Sequence, residues 1–195
     1  MANLQISVEG ISPLLMHSDK TANPFNEYTK KLKALTGKRK KTEDDLSAIS
    51  QLDWEASLYW NGKNYYLANN MIEANLLVSA KMFKMGPLVK QGIIAENDAL
   101  FDFPHKNLKP SELYKLEQYI DLRGVRVNQS KVIRCRPLFN EWKASFEIMS
   151  IDEKIDVIQI KQLIENAGKY VGYGDWHPRF CRFVVTEFKE LKNGK

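Results

Sequence analysis

The chain has 195 residues, 44% hydrophobic and 27% charged, enough for one elaborated domain with a real core and short for two. No apolar stretch approaches the roughly 20 residues of a membrane helix. The opening Met-Ala-Asn-Leu-Gln-Ile-Ser-Val has no basic-then-apolar leader pattern, which predicts a cytoplasmic protein without a membrane partner. Cys135 and Cys181 are the only cysteines, and neither has a partner at zinc-ligand spacing, so a disulfide framework and a structural metal drop out and no cofactor is expected.

The net charge of +5 is unevenly spread. Lys20 to Lys41 holds eight basic residues and one acid, Arg123 to Arg136 five and none, and Lys169 to Arg182 three and one, together +14 against −9 for the remainder. Concentrated positive charge points toward an acidic partner such as nucleic acid.

In chain order, Leu4, Ile6 and Val8 alternate as in a strand that bends near Gly10 and Pro13. Residues 18–53 are polar and lysine-rich, with a helix near Asn26 to Leu35 and no sustained apolar face, and read as an insertion. Ala56 to Leu67 carries two aromatic-rich runs around Asn61-Gly62, the signature of a β-hairpin. Asn70 to Phe83 predicts a helix capped by Asn70 with Glu73 in a capping box, Ile72, Leu76, Ala80 and Phe83 sharing one face.

A second connecting insertion spans 84–118. Tyr119 to Val127 reads as extended. Lys131 to Pro137 and Glu141 to Met149 read as two strands turning at Leu138 to Asn140, the latter with Trp142, Ala144, Phe146 and Ile148 inward. A helix from Asp156 to Ala167, closed by Gly168, and a strand from Phe180 to Phe188 complete the chain. The order β-α-β-β-α-β predicts an α+β, ferredoxin-like or RNA-recognition-motif core in a single domain, 1–195, with an inserted hairpin and the lysine-rich insertion.

Gly172-Tyr-Gly-Asp-Trp-His-Pro-Arg179 begins like a dinucleotide fingerprint, but it leads from a helix into a strand, the reverse of what a pyrophosphate site requires. Gly172 and Gly174 instead allow close backbone approach, and Trp176, His177 and Arg179 add a stacking plane and donors suited to a nucleotide chain. Arg123, Arg126, Lys131, Arg134 and Arg136 cluster around a sheet edge. Arg134 and Arg136, two apart on a strand, would share a face as a phosphate clamp or pair with nearby carboxylates. Lys38, Arg39, Lys40 and Lys41 form a basic run that reads either as a solvated loop face or as a phosphate-binding segment. The catalytic inventory is thin: His17 and His177 belong to no motif, a metal-independent endoribonuclease could use either as general base, and Asp19 is the other candidate.

Three segments resemble the RAMP superfamily, the modified RNA-recognition-motif proteins that form backbone and processing subunits of CRISPR effector complexes. They are Ile11-Ser-Pro-Leu-Leu, Tyr66-Leu-Ala-Asn-Asn-Met-Ile-Glu-Ala-Asn-Leu and the loop from Gly172 to Arg182. Ser-Pro-Leu-Leu-Met-His, Arg-x-Arg-Pro and Gly-x-Gly-Asp-Trp are also similar to stand-alone phage and prophage proteins. The resemblance implies the modified core, residues 18–53 as a thumb, head-to-tail homo-oligomers along nucleic acid, and Asp19 as the only match to the loop aspartate with which some subunits cut RNA. The expectation is a sequence-tolerant protein of single-stranded DNA or RNA. The alternatives are an endoribonuclease, or an anti-defence protein imitating a CRISPR backbone subunit.

Overall fold

The computed structural model describes residues 1–127 and 129–191, Val127 by its backbone alone. The chain divides into two compact units. The first takes Met1–Leu14, Trp60–Pro104 and the chain from Asn140 onward, and the second Leu15–Tyr59 and His105–Phe139.

Strand β1 (Ala2–Gly10) buries Leu4, Ile6 and Val8, as their alternation predicts. A short strand, β2 (Leu14–Leu15), follows where the chain passes into the second unit. The lysine-rich segment then forms two helices. Helix α1 (Glu27–Thr36) is capped by Asn26, and α2 (Glu43–Ser57) starts in a capping box in which Thr42 and Asp45 satisfy each other's backbone donors. The sequence reading names only the first of these helices. The inward face of α2 holds Asp53 and Ser57 beside Trp54 and Ala56, and those buried polar residues hide the apolar period.

The aromatic hairpin shrinks to one bridge, Trp60 to Tyr65, around Gly62 at φ +96°. Its first arm is lost because Ala56 and Ser57 still belong to α2, and only Tyr66–Leu67 (β3) continues as strand. Helix α3 (Asn69–Met82) has Ala68 at its cap position, two residues before the predicted Asn70, and no side-chain cap. Glu73 accepts instead from the Ala95 N–H at 2.9 Å, and Asn69 Nδ2 donates to the Ala95 carbonyl at 3.0 Å. Ile72, Leu76 and Ala80 are buried as expected, but Phe83 lies beyond the last turn and is exposed.

The next segment yields α4 (Gly86–Gly92), β4 (Ile93–Ile94), β5 (Ala99–Asp102) and α5 (Pro110–Leu113). Then come β6 (Ile120–Val127), β7 (Ser130–Phe139), β8 (Lys143–Ser150), α6 (Val157–Asn166) and β9 (Phe183–Leu191).

The sheet of the first unit runs β3-β5-β8-β1-β9, with β4 also on β8. Its β1–β8, β1–β9 and β5–β8 pairs are antiparallel. Trp142, Ala144, Phe146 and Ile148 are buried, as the alternation in β8 predicts. Helices α3 and α6 meet through Ser79 Oγ, which donates to the Leu163 carbonyl at 2.8 Å. The expected hairpin between 131–137 and 141–149 is not formed. β7 pairs with β6 and β2 in a separate sheet, while β5 occupies the place beside β8. The contiguous β6–β7 ribbon matches Ile120 with Pro137 through Val127 with Ser130. The architecture is α+β with antiparallel sheets, compatible with the ferredoxin-like class.

Helix α6 is capped by Asp156, with Gln159 completing a capping box, but it does not stop at Gly168 as expected. One wide turn, 167–171, carries it to Gly172, whose φ of +82° ends it. Gly168 serves packing instead, since a Cβ there would collide with the carbonyl and ring of Phe183. Both cysteines are buried. Burial, followed by the Asp53 carboxylate, pushes the Cys135 thiol up to about 11. The native protein should therefore leave both thiols unlabelled by a disulfide reagent near pH 8, releasing them only in urea; rapid native labelling would contradict the packing.

Candidate nucleic-acid interface

The loop from Gly172 to Arg182 is built on the end of β1 within the first unit. Four of its residues have positive φ: Gly172 (+82°), Gly174 (+79°), Trp176 (+60°) and Cys181 (+70°). A Cβ on Gly172 would lie 2.8 Å from the Cys181 carbonyl oxygen, so only glycine admits the closed base of the loop. There Tyr173 N–H donates to the Cys181 carbonyl at 3.0 Å and Cys181 N–H to the Pro13 carbonyl at 2.8 Å. Ser12 Oγ accepts from Arg182 N–H at 2.8 Å, and Trp142 Nε1 donates to the Ser12 carbonyl at 2.9 Å. Asn75 Nδ2 on α3 donates to the Gly172 carbonyl at 2.9 Å. The Ser12-Pro13 turn and the glycine loop, far apart in sequence, thus hold each other.

The loop's base is buried and its tip is not. Tyr173 stacks on Phe183 inside the core, with centroids 4.4 Å apart, and burial raises its phenol pKa. Trp176 is 45% exposed and lies over the buried Phe180, with centroids 5.9 Å apart and planes 16° from parallel. His177, Pro178, Arg179 and Arg182 are exposed beside it. A fixed indole face with cationic neighbours is what a stacked base and its phosphate require.

In the second unit, Lys38, Arg39, Lys40 and Lys41 are exposed between α1 and α2. Lys38 Nζ contacts Asp45 Oδ1 at 2.6 Å, and this hydrogen bond, with those from Thr42, holds the Asp45 carboxyl below its usual range. The arginine cluster separates by strand alternation. Arg123 and Arg134 are cross-strand partners on the face that carries carboxylates, Arg123 Nε at 2.6 Å from Asp121 and Arg134 Nη1 at 3.1 Å from Asp53. Arg136 is buried beside Asp121 at 3.4 Å. The same-side pair expected as a phosphate clamp is therefore engaged with carboxylates, and Arg136 has no solvent face to offer. Arg126 and Lys131, also cross-strand partners, are exposed near the ribbon tip.

His17 Nδ1 lies 3.3 Å from Ser57 Oγ, and Asp19 opens a short 3₁₀ turn in the second unit, whereas His177 belongs to the first. Among the described residues no cluster of His, Cys, Asp or Glu could hold a metal ion, and no helix is long and apolar enough to cross a membrane.

Sequence reasoning missed the apolar part of the ribbon. Leu122 and Ile133 are 58% and 66% exposed, with Gly124, Arg126 and Lys131 exposed around them. The sequence reading takes both segments only as extended, because neither strand's own pattern says which face the fold leaves uncovered. Asp53 and Asp121, which immobilise the arginines, were also missed; acids outside a basic run carry no local signature of pairing with it.

The fold and loop define an α+β protein with an antiparallel sheet and a glycine-closed loop bearing exposed aromatic and basic groups. No family model and no curated protein matches the sequence. Among solved structures, it is similar to a chain in the cryo-EM structure of the type III-B Cmr-beta complex bound to cognate target RNA, at 11% identity and a TM-score of 0.51. The match covers 98% of this chain and 61% of the other, so this chain spans about three fifths of that protein's length. At that identity the likeness concerns the fold.

Proposed function

We propose that this protein is a RAMP-like, sequence-tolerant single-stranded nucleic-acid-binding protein, with RNA the first strand to test. The observation that carries the reading is the loop tip: Trp176 backed by Phe180, with His177 and Arg179 exposed beside it on a base closed by glycine. The fold likeness to a chain from an RNA-bound complex supports it. In the second unit Lys38 to Lys41, Arg126 and Lys131 supply phosphate contacts, while Arg123, Arg134 and Arg136 hold the ribbon in shape through Asp53 and Asp121. Copies then assemble along the strand.

The test is fluorescence anisotropy with labelled single-stranded RNA, single-stranded DNA and duplex at two salt concentrations, followed by a denaturing gel of the same samples. Trp176→Ala is expected to weaken single-strand binding by about 1–3 kcal/mol. Arg126→Ala or Lys131→Ala should reduce the salt slope by about one. Unchanged affinity in all three variants, or cleaved RNA in the gel, would overturn the reading.

A further inference from the structure

Helix α3 ends with Met85 N–H donating to the Ala80 carbonyl at 2.9 Å and Lys84 N–H to the Lys81 carbonyl at 3.2 Å. This is a Schellman closure, whose left-handed position normally goes to glycine. Lys84 occupies it at φ +59°. Two residues on, a Cβ at Gly86 would lie 3.0 Å from Lys81 Cγ, so the glycine lets the first turn of α4 come against the lysine stem.

Between α3 and α4 lies an open groove of about 430 Å³, with Leu77, Gly86 and Pro87 in its walls and Lys81, Lys84 and Lys90 around it. A hollow of about 210 Å³ shares Leu77 and Lys90 and extends along α3 past Asn70 and Glu73 toward Ala74 and Ile93, with the Glu73 carboxylate accepting from the Ala95 N–H at 2.9 Å. Among the described residues none of the three ammonium groups is paired with a carboxylate, and all three lysines are exposed. Lysines clustered around an apolar hollow repel one another and gain nothing from solvent that a more dispersed arrangement would lose. The glycine-favouring backbone at Lys84 adds a conformational cost to placing a cation there.

We propose that this groove docks an acidic segment of a partner protein, which inserts one large apolar side chain between α3 and α4 and sets carboxylates against Lys81, Lys84 and Lys90. The lining favours such a peptide over a nucleotide. No aromatic ring lines either hollow, so a base would find no stacking partner there, whereas an aliphatic or aromatic side chain of a peptide finds the Leu77 and Pro87 walls.

The test uses the full chain and a fluorescein-labelled hexapeptide, Asp-Asp-Leu-Phe-Asp-Asp, in anisotropy at low salt. Saturable binding is expected, weakened several-fold when Ala-Ala replaces Leu-Phe and abolished in the Lys81→Glu/Lys90→Glu double variant. Lys84→Gly separates function from folding, because it should raise the melting temperature while weakening the peptide several-fold and leaving single-stranded RNA affinity unchanged. Absence of saturable binding, equal binding of the Ala-Ala peptide, or Lys84→Gly binding the peptide like the parent would overturn the proposal. So would a Lys84→Gly variant that loses RNA affinity, since the groove would then belong to nucleic acid.

Discussion

Asp121→Ala is expected to destabilise the second unit by about 3–5 kcal/mol, read as a lowered urea midpoint and as faster amide exchange across β6 and β7. Asp121 is buried, with Arg123 Nε at 2.6 Å on one oxygen and Arg136 Nη2 at 3.4 Å on the other. Removing the carboxylate takes from the Arg136 guanidinium, only 5% exposed, the buried countercharge at 3.4 Å. An exposed pair would lose far less, since water would replace the partner. The companion variant Arg136→Met replaces one buried cation by an apolar chain of similar length and should cost much less. If Arg136→Met instead lowered RNA affinity with stability intact, the arginine would be a nucleic-acid contact and the structural role assigned to it would fall.

Trp142→Ala is expected to cost the first unit about 3–5 kcal/mol and to weaken single-strand binding together with stability. The indole is almost wholly buried against Phe101, Tyr173 and Phe183, with ring centroids 6.3–6.5 Å away. Truncation opens a cavity in that cluster. It also removes the Nε1 donor to the Ser12 carbonyl, and Ser12 in turn holds Arg182 at the base of the loop. Trp142→Phe should recover most of the packing but not that hydrogen bond, so its stability loss should be smaller while the loop stays loosened. Parallel measurement of thermal unfolding and RNA anisotropy checks both statements. A Trp142→Ala protein with an unaltered melting temperature would refute the core assignment.

Much of the first unit was legible in the chain. β1 and β8 were readable because each alternates over several residues with one face buried, so a register slip would expose every apolar side chain at once. α6 was readable because Asp156 and Gln159 form a cap from neighbours in sequence. α3 was found, but its start was misread: Glu73 and Asn69 satisfy a distant backbone at Ala95, and nothing in the local pattern distinguishes that from a capping box. α2 was missed because two of its inward positions, Asp53 and Ser57, are polar. Its capping box at Thr42 and Asp45 was the signal that could have found it.

By itself the sequence determined the periodicities, the local caps, the concentration of positive charge and the glycine-rich loop, because each depends on residues close together in the chain. Only the tertiary structure decided that β7 pairs with β6 rather than β8, that Arg136 is buried on Asp121 while Arg126 and Lys131 remain exposed, and that Ser12 and Pro13 close the loop beneath Trp176. The reason is physical. Strand partnership and ion pairing are set by competition among distant segments for the same hydrogen bonds and charges, and the winner depends on geometry that no single segment contains.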